Sequence, residues 1–371
     1  MQLPITLNGR FLTQDVTGVQ RVARELLFEL DNLAMAGELA VPRLLVPGRG
    51  ELVDPPELSA ISIERIGRRG GHLWEQIDLP RAAGSGVLLC LGNTAPLLRL
   101  RRRGLPTVVM VHDLSYKYFP TAYSRSFRLL YGIIMPQVLR HADRIVTVSR
   151  AEFDAMAQCY PFLLTDPRFS FAPNGGLTDQ AMKAAVAAPQ AKASGRTSGL
   201  YVGSLTRRKN AAGILTAAAT FLRAHPEMSF TVVGATDSSF KSIDIDVPTE
   251  VRNRITFIGH VNDTGRLGNL YSSARFLLFP SFYESSGLPP SEAMAFGCPT
   301  VASDIPALFE RCGDAAIYCD PHNSASISAA IELLMDDKIW SEKARLSTER
   351  AGRFSWAKQA QHLLQLCEDI A

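Results

Sequence analysis

Short, mostly apolar runs alternate along the chain with longer stretches in which apolar residues recur every three or four positions. Val87–Leu91, Thr107–Val111, Arg144–Val148, Gly199–Gly203, Ser229–Gly234, Ile255–Gly259, Phe276–Pro280 and Pro299–Ala302 read as strands. Between them lie amphipathic segments; Val19, Val22, Ala23, Leu26, Leu27 and Leu30 share one face of a helix. This alternation predicts an α/β fold of parallel sheets covered by helices on both faces. With 371 residues, the chain exceeds the roughly 250–300 at which single cores stop growing, so two doubly wound domains are expected. Residues 181–198 are rich in Ala, Ser, Lys and Gly and carry no strand pattern, which marks a linker between domains at 1–180 and 199–354. Phe354-Ser355-Trp356 opens a final helix over 355–371, with Ser355 as its N-cap.

Composition narrows the function classes. Hydrophobic residues at 46% supply a large core, and a net charge of +3 is too small to argue for a nucleic-acid partner. The six cysteines are scattered without a C-x-x-C pair, as expected of reduced, buried thiols in a cytoplasmic protein. Met1–Phe11 lacks the basic and apolar regions of a signal peptide. No apolar run reaches the roughly 18 residues needed to span a bilayer, so a soluble or surface-bound protein is expected. No cluster of His, Asp and Glu has metal-ligand spacing, and neither a metal nor a resident cofactor is expected.

Doubly wound sheets bind ligands at the carboxyl ends of their strands, which is where the chemistry should lie. In the stretch Phe279 to Gly297 a strand ends near Pro280, and a loop carries Glu284, Ser286 and Gly287. A helix then begins at Pro289 and Pro290, which suit a first helical turn. Backbone N–H groups of Ser286, Gly287 and Leu288 at that helix start suit a phosphate. The Glu292 carboxylate offers two acceptors to a ribose diol, or complements the helix dipole. Tyr201 to Asn210 gives a strand, a glycine turn with Ser204, and the basic cluster Arg207-Arg208-Lys209, which suits a diphosphate or a solvated loop. His112-Asp113 follows the strand Thr107–Val111; Asp113 either orients the imidazole or caps the next turn. Thr17-Gly18-Val19-Gln20-Arg21 opens the first long helix.

Taken together these strings resemble the retaining glycosyltransferases of family 4, which have the GT-B fold. The stretch Glu284 to Glu292 is similar to that family's Glu-x7-Glu signature, and Gly203 to Asn210 is similar to its Gly-x-Leu-x-x-Arg-Lys-Asn. The resemblance covers nearly the whole chain. It implies two Rossmann-like domains facing each other across a cleft, with helix 355–371 packing back on the first. It also implies roles: Glu284 on hydroxyls of the transferred sugar, Glu292 on the ribose, and Arg208 and Lys209 on the donor diphosphate. His112 would face the transferred sugar, and Gly18 would let the backbone approach donor and acceptor. Two departures stand out: Ser286 where the family commonly has an aromatic residue, and Ser204 where many relatives have arginine. His72-Leu73-Trp74-Glu75-Gln76 resembles a string of a bacterial branch that builds surface polysaccharides.

The resulting expectation is metal-independent hexosyl transfer with retention, from GDP-mannose first and UDP-glucose second, to a saccharide or lipid-linked saccharide. Leu98 to Arg103 brings Arg99, Arg101, Arg102 and Arg103 to the surface of the first domain. They form either a solvated face or a contact with anionic lipid at the inner face of the plasma membrane. A sugar-nucleotide epimerase, a phosphorylase with a lysine-bound pyridoxal group, and a non-catalytic nucleotide-sugar-binding partner are the alternatives on the same fold.

Overall fold

The computed structural model describes residues 4–177, 193–234, 248–261 and 263–371. The chain divides into two compact units, Met1–Asn174 with Trp356–Ala371, and Gly175–Ser355. Residues 181–192 of the expected linker lie outside the described residues.

The first unit holds seven parallel strands: β1 (Ile5–Asn8), β2 (Arg43–Pro47), β3 (Ile63–Ile66), β4 (Val87–Cys90), β5 (Thr107–Met110), β6 (Arg144–Thr147) and β7 (Phe169–Phe171), in the order β3-β2-β1-β4-β5-β6-β7. In the second, β8 (Ser198–Val202), β9 (Ser229–Val233), β10 (Ile255–Phe257), β11 (Ala274–Phe279), β12 (Thr300–Ser303) and β13 (Ala316–Cys319) run β10-β9-β8-β11-β12-β13. The successive residues Leu44, Leu45 and Val46 are all buried, as are Val108, Val109 and Met110. Side chains on both faces of these strands are therefore covered, in keeping with the apolar run at 107–111, whereas Arg43–Pro47 was not among the expected strands. Strand order reverses between β1 and β4 and again between β8 and β11. Loops leaving such a pair diverge to opposite sides and open a crevice at the carboxyl edge.

Helix Gly18–Met35 buries Val22, Ala23, Leu26, Leu27 and Leu30 and begins with a capping box between Thr17 and Gln20. The last helix, Trp356–Glu368, belongs to the first unit, where Gln359 Nε2 donates to the Ala172 carbonyl and to Asn174 Oδ1 at 2.9 Å each. Among the described residues, no helix is long and apolar enough to cross a membrane.

The β1–β4 edge is closed by a buried carboxylate. Glu75 Oε1 accepts from Asn8 Nδ2 at 2.7 Å and from Arg10 Nε at 3.1 Å, and Oε2 accepts from Thr94 Oγ1 at 2.7 Å. Burial alone would raise its pKa, but Arg10, His72 and Thr94 outweigh that and hold it down at about 2. Arg99 is not part of a surface face; it is 1% exposed, and its guanidinium donates to the carbonyls of Gly84 and Gly86 at 2.7 and 2.5 Å. Arg101, Arg102 and Arg103 are exposed.

Glu75→Gln leaves Arg10 buried without its counter-charge, and is expected to cost about 3–5 kcal/mol in urea unfolding at neutral pH. A depressed pKa contributes stability above the ordinary value of 4.5 and loses it as pH falls toward about 2. The difference between wild type and variant should therefore hold down to that ordinary value and shrink below it. A difference that does not shrink contradicts the assignment.

Candidate active site

The β8–β11 edge is built from two loops stitched together by backbone and side-chain bonds. After β8 the chain turns at Gly203, with φ +143°, and passes Arg208, Lys209 and Asn210 into the helix Ala211–Ala224. Asn210 takes the left-handed conformation at φ 60°, a geometry Asn tolerates well. Its Oδ1 caps the helix through Gly213 N–H, while Nδ2 donates to the carbonyls of Pro280 and Pro321 at 3.1 and 2.8 Å. Phe282 N–H donates to the Arg208 carbonyl at 3.0 Å, and Arg208 Nη1 donates to the Tyr283 carbonyl at 3.1 Å. The loop after β11 is thereby fixed on the loop after β8.

This stitching brings three of the expected site residues together. Lys209 Nζ lies 2.5 Å from Glu284 Oε1, and Arg208 Nη1 lies 3.7 Å from Oε2. The side chains of Lys209 and Glu284 are only 12% and 8% exposed. Burial pushes the Glu284 carboxyl upward, but the charges of Lys209 and Arg208 outweigh it and leave the pKa below the ordinary value. Glu284 is therefore an anion at neutral pH, held between two cations.

The next segment carries the backbone donors. Gly287 sits at φ +75° as N-cap of the helix Leu288–Ala295, whose first turn contains proline. A Cβ there would lie 2.9 Å from Leu308 Cδ2 besides requiring a disfavoured backbone, so glycine is demanded twice over. Arg311 clamps this turn, donating from Nε to the Ser286 carbonyl at 2.8 Å and from Nη2 to Ser286 Oγ at 2.6 Å. The clamp gives Ser286 a physical role, since an aromatic side chain could not accept that second bond. Burial lowers the Arg311 pKa to about 10, and its guanidinium stacks 4.0 Å over the Phe354 ring. Glu292 is fully buried on the same helix, with Tyr271 OH donating to Oε2 at 2.7 Å. Ser204 is exposed in the preceding loop, and Tyr201 OH donates to its carbonyl.

His112 and Gly18 belong to the first unit. His112 is buried directly beyond β5, with Nε2 2.7 Å from the Leu91 carbonyl and its N–H donating to Asn93 Oδ1 at 2.7 Å. A carbonyl can only accept, so Nε2 carries the proton and Nδ1 is left as an acceptor. Burial pushes the His112 pKa down, against smaller raising effects of Leu91 and Asp113. Asp113 caps the following turn through Ser115 N–H at 2.9 Å. Gly18, first residue of its helix, is exposed, and nothing lies within 4 Å of where a Cβ would stand.

Arg311 and Tyr271 were not legible as site residues. Arg311 is a lone arginine in the helix Pro306–Cys312, and its acceptor lies 25 residues away. Asn210 stood in a quoted motif, but its bonds to Pro280 and Pro321 give no sequence signal. Among the described residues no group of three or more His, Cys, Asp and Glu side chains is placed to hold a metal ion.

Residues 16–175 match the family described as glycosyltransferase family 4, and residues 184–354 match glycosyl transferases group 1. The O-antigen chain mannosyltransferase B of Escherichia coli is 35% identical over 164 residues, 42% of each chain. The O-antigen chain mannosyltransferase RfbU of Salmonella typhimurium is 26% identical over 260 residues, 70% of this chain and 68% of that one. The match thus spans less than half the length of the first relative. Among solved structures, sucrose-phosphate synthase of Thermosynechococcus elongatus superposes with a TM-score of 0.74 over 99% of each chain at 19% identity, a likeness of fold. Two Rossmann-like parallel sheets, the Glu284–Lys209 pair at a switch point and two adjoining family matches agree: the chain belongs to the GT-B glycosyltransferases, with a family 4 first unit and a group 1 second unit.

Proposed function

We propose that this protein transfers a hexosyl group, mannosyl first, from a nucleoside-diphosphate sugar to a saccharide or lipid-linked saccharide hydroxyl in bacterial surface-polysaccharide synthesis. The observation that carries the reading is the anion Glu284 held by Lys209 and Arg208 beside a helix N-terminus at the β8–β11 edge. As the bond from the anomeric carbon to phosphate breaks, negative charge grows on the diphosphate. Arg208, Lys209 and the backbone N–H groups of Gly287 and Leu288 are fixed donors for that charge, and they supply it without a metal ion. Glu284, kept ionised, accepts from hydroxyls of the transferred sugar, and Glu292 accepts from the ribose diol. Nδ1 of His112 accepts from a further sugar hydroxyl, and Gly18 and Ser204 leave room for donor groups beside the backbone.

Transfer proceeds with retention by attack on the face the diphosphate leaves. The acceptor oxygen bonds to the anomeric carbon, and its proton passes to the departing phosphate oxygen. The mannosyltransferase relatives favour GDP-mannose as donor, with UDP-glucose second. The protein works at the cytoplasmic face of the membrane. Leu129, Leu130 and Ile133 are exposed on the helix Arg125–His141, and Arg101 Nη2 ties the neighbouring basic turn to that helix through Gln137 at 2.7 Å.

Assayed by nucleoside-diphosphate release that depends on added saccharide acceptor, Lys209→Ala should lower kcat/KM by about 10²–10³-fold, the scale of removing one charge-stabilising donor. Excess EDTA should leave wild-type turnover unchanged. Release without acceptor would favour the epimerase chemistry, and an unaffected Lys209→Ala would overturn the site. The chain should also sediment with vesicles of anionic lipid at low salt and less so at high salt. Equal sedimentation of Leu129→Asp and wild type would remove the membrane contact from the proposal.

A further inference from the structure

Arg311 stands at the end of the short helix Pro306–Cys312 and reaches the turn that starts the helix Leu288–Ala295. It is 2% exposed, and its place is set from several sides. Arg350 donates to the carbonyls of Arg311 and Glu310 at 2.7 Å each, which secures the end of the short helix. The Phe354 ring lies against the guanidinium at 4.0 Å. The same helix packs on Gly287, where an added Cβ would come within 2.9 Å of Leu308 Cδ2 and 3.7 Å of Arg311 Cγ. Burial strips a guanidinium of water, and the acceptors it takes instead include the Ser286 carbonyl at 2.8 Å and Ser286 Oγ at 2.6 Å. Its rigid fork engages both, so it cannot turn away from the carbonyl.

That grip fixes a peptide plane. A trans peptide is planar, with its carbonyl and its N–H pointing in opposite directions, and the described residues contain no cis bond. With the Ser286 carbonyl drawn to Arg311, the Gly287 N–H is turned away from it. The next plane is fixed in the same way. The Gly287 carbonyl accepts from Ser291 N–H at 3.3 Å and from Ser291 Oγ at 3.5 Å, so the Leu288 N–H points out of the helix start. Among the described residues neither of these two N–H groups donates to a backbone carbonyl. Rotation of the Ser286–Gly287 plane would change φ at Gly287, now +75°, and glycine tolerates a wide range of φ. The carbonyl bond to Arg311 is what opposes that rotation. A cation on the carbonyl also polarises the peptide, which makes its N–H a stronger donor.

We infer that Arg311 is a positioning residue for the transfer: its grip on the Ser286 carbonyl aims the Gly287 N–H at the departing diphosphate and polarises it. Arg311 acts through the peptide and does not itself meet the substrate. The inference rests on the glycosyl-transfer reading, because the diphosphate is that reading's leaving group. It also gives the hydroxyl at Ser286 a purpose, as the second anchor of the fork.

The test compares wild type, Arg311→Met, Arg311→Lys and Ser286→Ala as full chains. Calorimetry gives the affinities for GDP and UDP. Saturation-transfer NMR follows guanosine and uridine, which share base and ribose but carry no phosphate. Arg311→Met removes the fork at similar length and should weaken the better nucleotide about tenfold or more, the equivalent of a hydrogen bond to a charged group. Arg311→Lys keeps the charge without the planar fork and should fall between Arg311→Met and wild type. Ser286→Ala keeps the carbonyl and should lose less than Arg311→Met. Nucleoside signals should be the same in all four proteins, because the N–H faces phosphate. A nucleoside lost in step with its nucleotide would mark a merely structural role and overturn the inference. Should Arg311→Met fail to fold by circular dichroism, Arg311→Lys decides. Nucleotide affinity equal to wild type in the folded variant overturns the positioning role alone. Wild type that binds neither GDP nor UDP overturns the donor reading, and this inference with it.

Discussion

Burial at the edge of a parallel sheet works against an ionised carboxylate, and the Glu284–Lys209 contact is what offsets it in this protein. Left unpaired at its level of burial, Glu284 would take up a proton rather than hold a charge. Lys209 at 2.5 Å and Arg208 at 3.7 Å supply the field that keeps it an anion. The pair is thereby a structural tie between the loop after β8 and the loop after β11. Removing Lys209 leaves the buried Glu284 facing Arg208 alone at 3.7 Å, and removing Glu284 takes away the carboxylate that both cations share.

The first sheet repeats the device with different residues. Glu75 is held by Arg10 at the reversal between β1 and β4, as Glu284 is held by Lys209 at the reversal between β8 and β11. In each case the carboxylate comes from a segment outside the strand that leads to its cation, so the charge pair also pins one loop or helix to another. The second edge is reinforced around its ion pair: Asn210 bonds Pro280 and Pro321, and Arg311 grips Ser286 ahead of the helix that begins at Leu288. Donors held this way need little reorganisation when charge develops, which is the main route by which a preformed site lowers a barrier.

Much of this was legible in the sequence, for identifiable reasons. Buried strands such as Val87–Cys90 and Thr107–Met110 are uninterrupted apolar runs, and Glu284, Lys209 and the helix start, read at Pro289 and found one residue earlier, lie in recognisable strings. Strands β3, β7 and β13 left no such run, because Ile63–Ile66, Phe169–Phe171 and Ala316–Cys319 are short and only partly covered. Central strand β1 was hidden by Thr6 and Asn8, polar residues that are buried because each finds a partner far along the chain. Arg99 was misplaced for the same reason. Its charge is matched by backbone carbonyls of Gly84 and Gly86, and carbonyl acceptors leave no mark in a pattern of side-chain types. Glu75 was visible in its string, but Asn8, Arg10 and Thr94 are brought to it only by the fold.

The cations beside Glu284 are proposed to hold a nucleoside diphosphate. Calorimetric titration of the full chain with GDP and with UDP in metal-free buffer tests it most directly, in wild type and in Lys209→Ala. Wild type should bind at least one of the two, and Lys209→Ala should weaken that binding by about 1.5–3 kcal/mol, the range for a hydrogen bond to a charged group. Binding of equal strength in both proteins, or no binding by wild type, would contradict it.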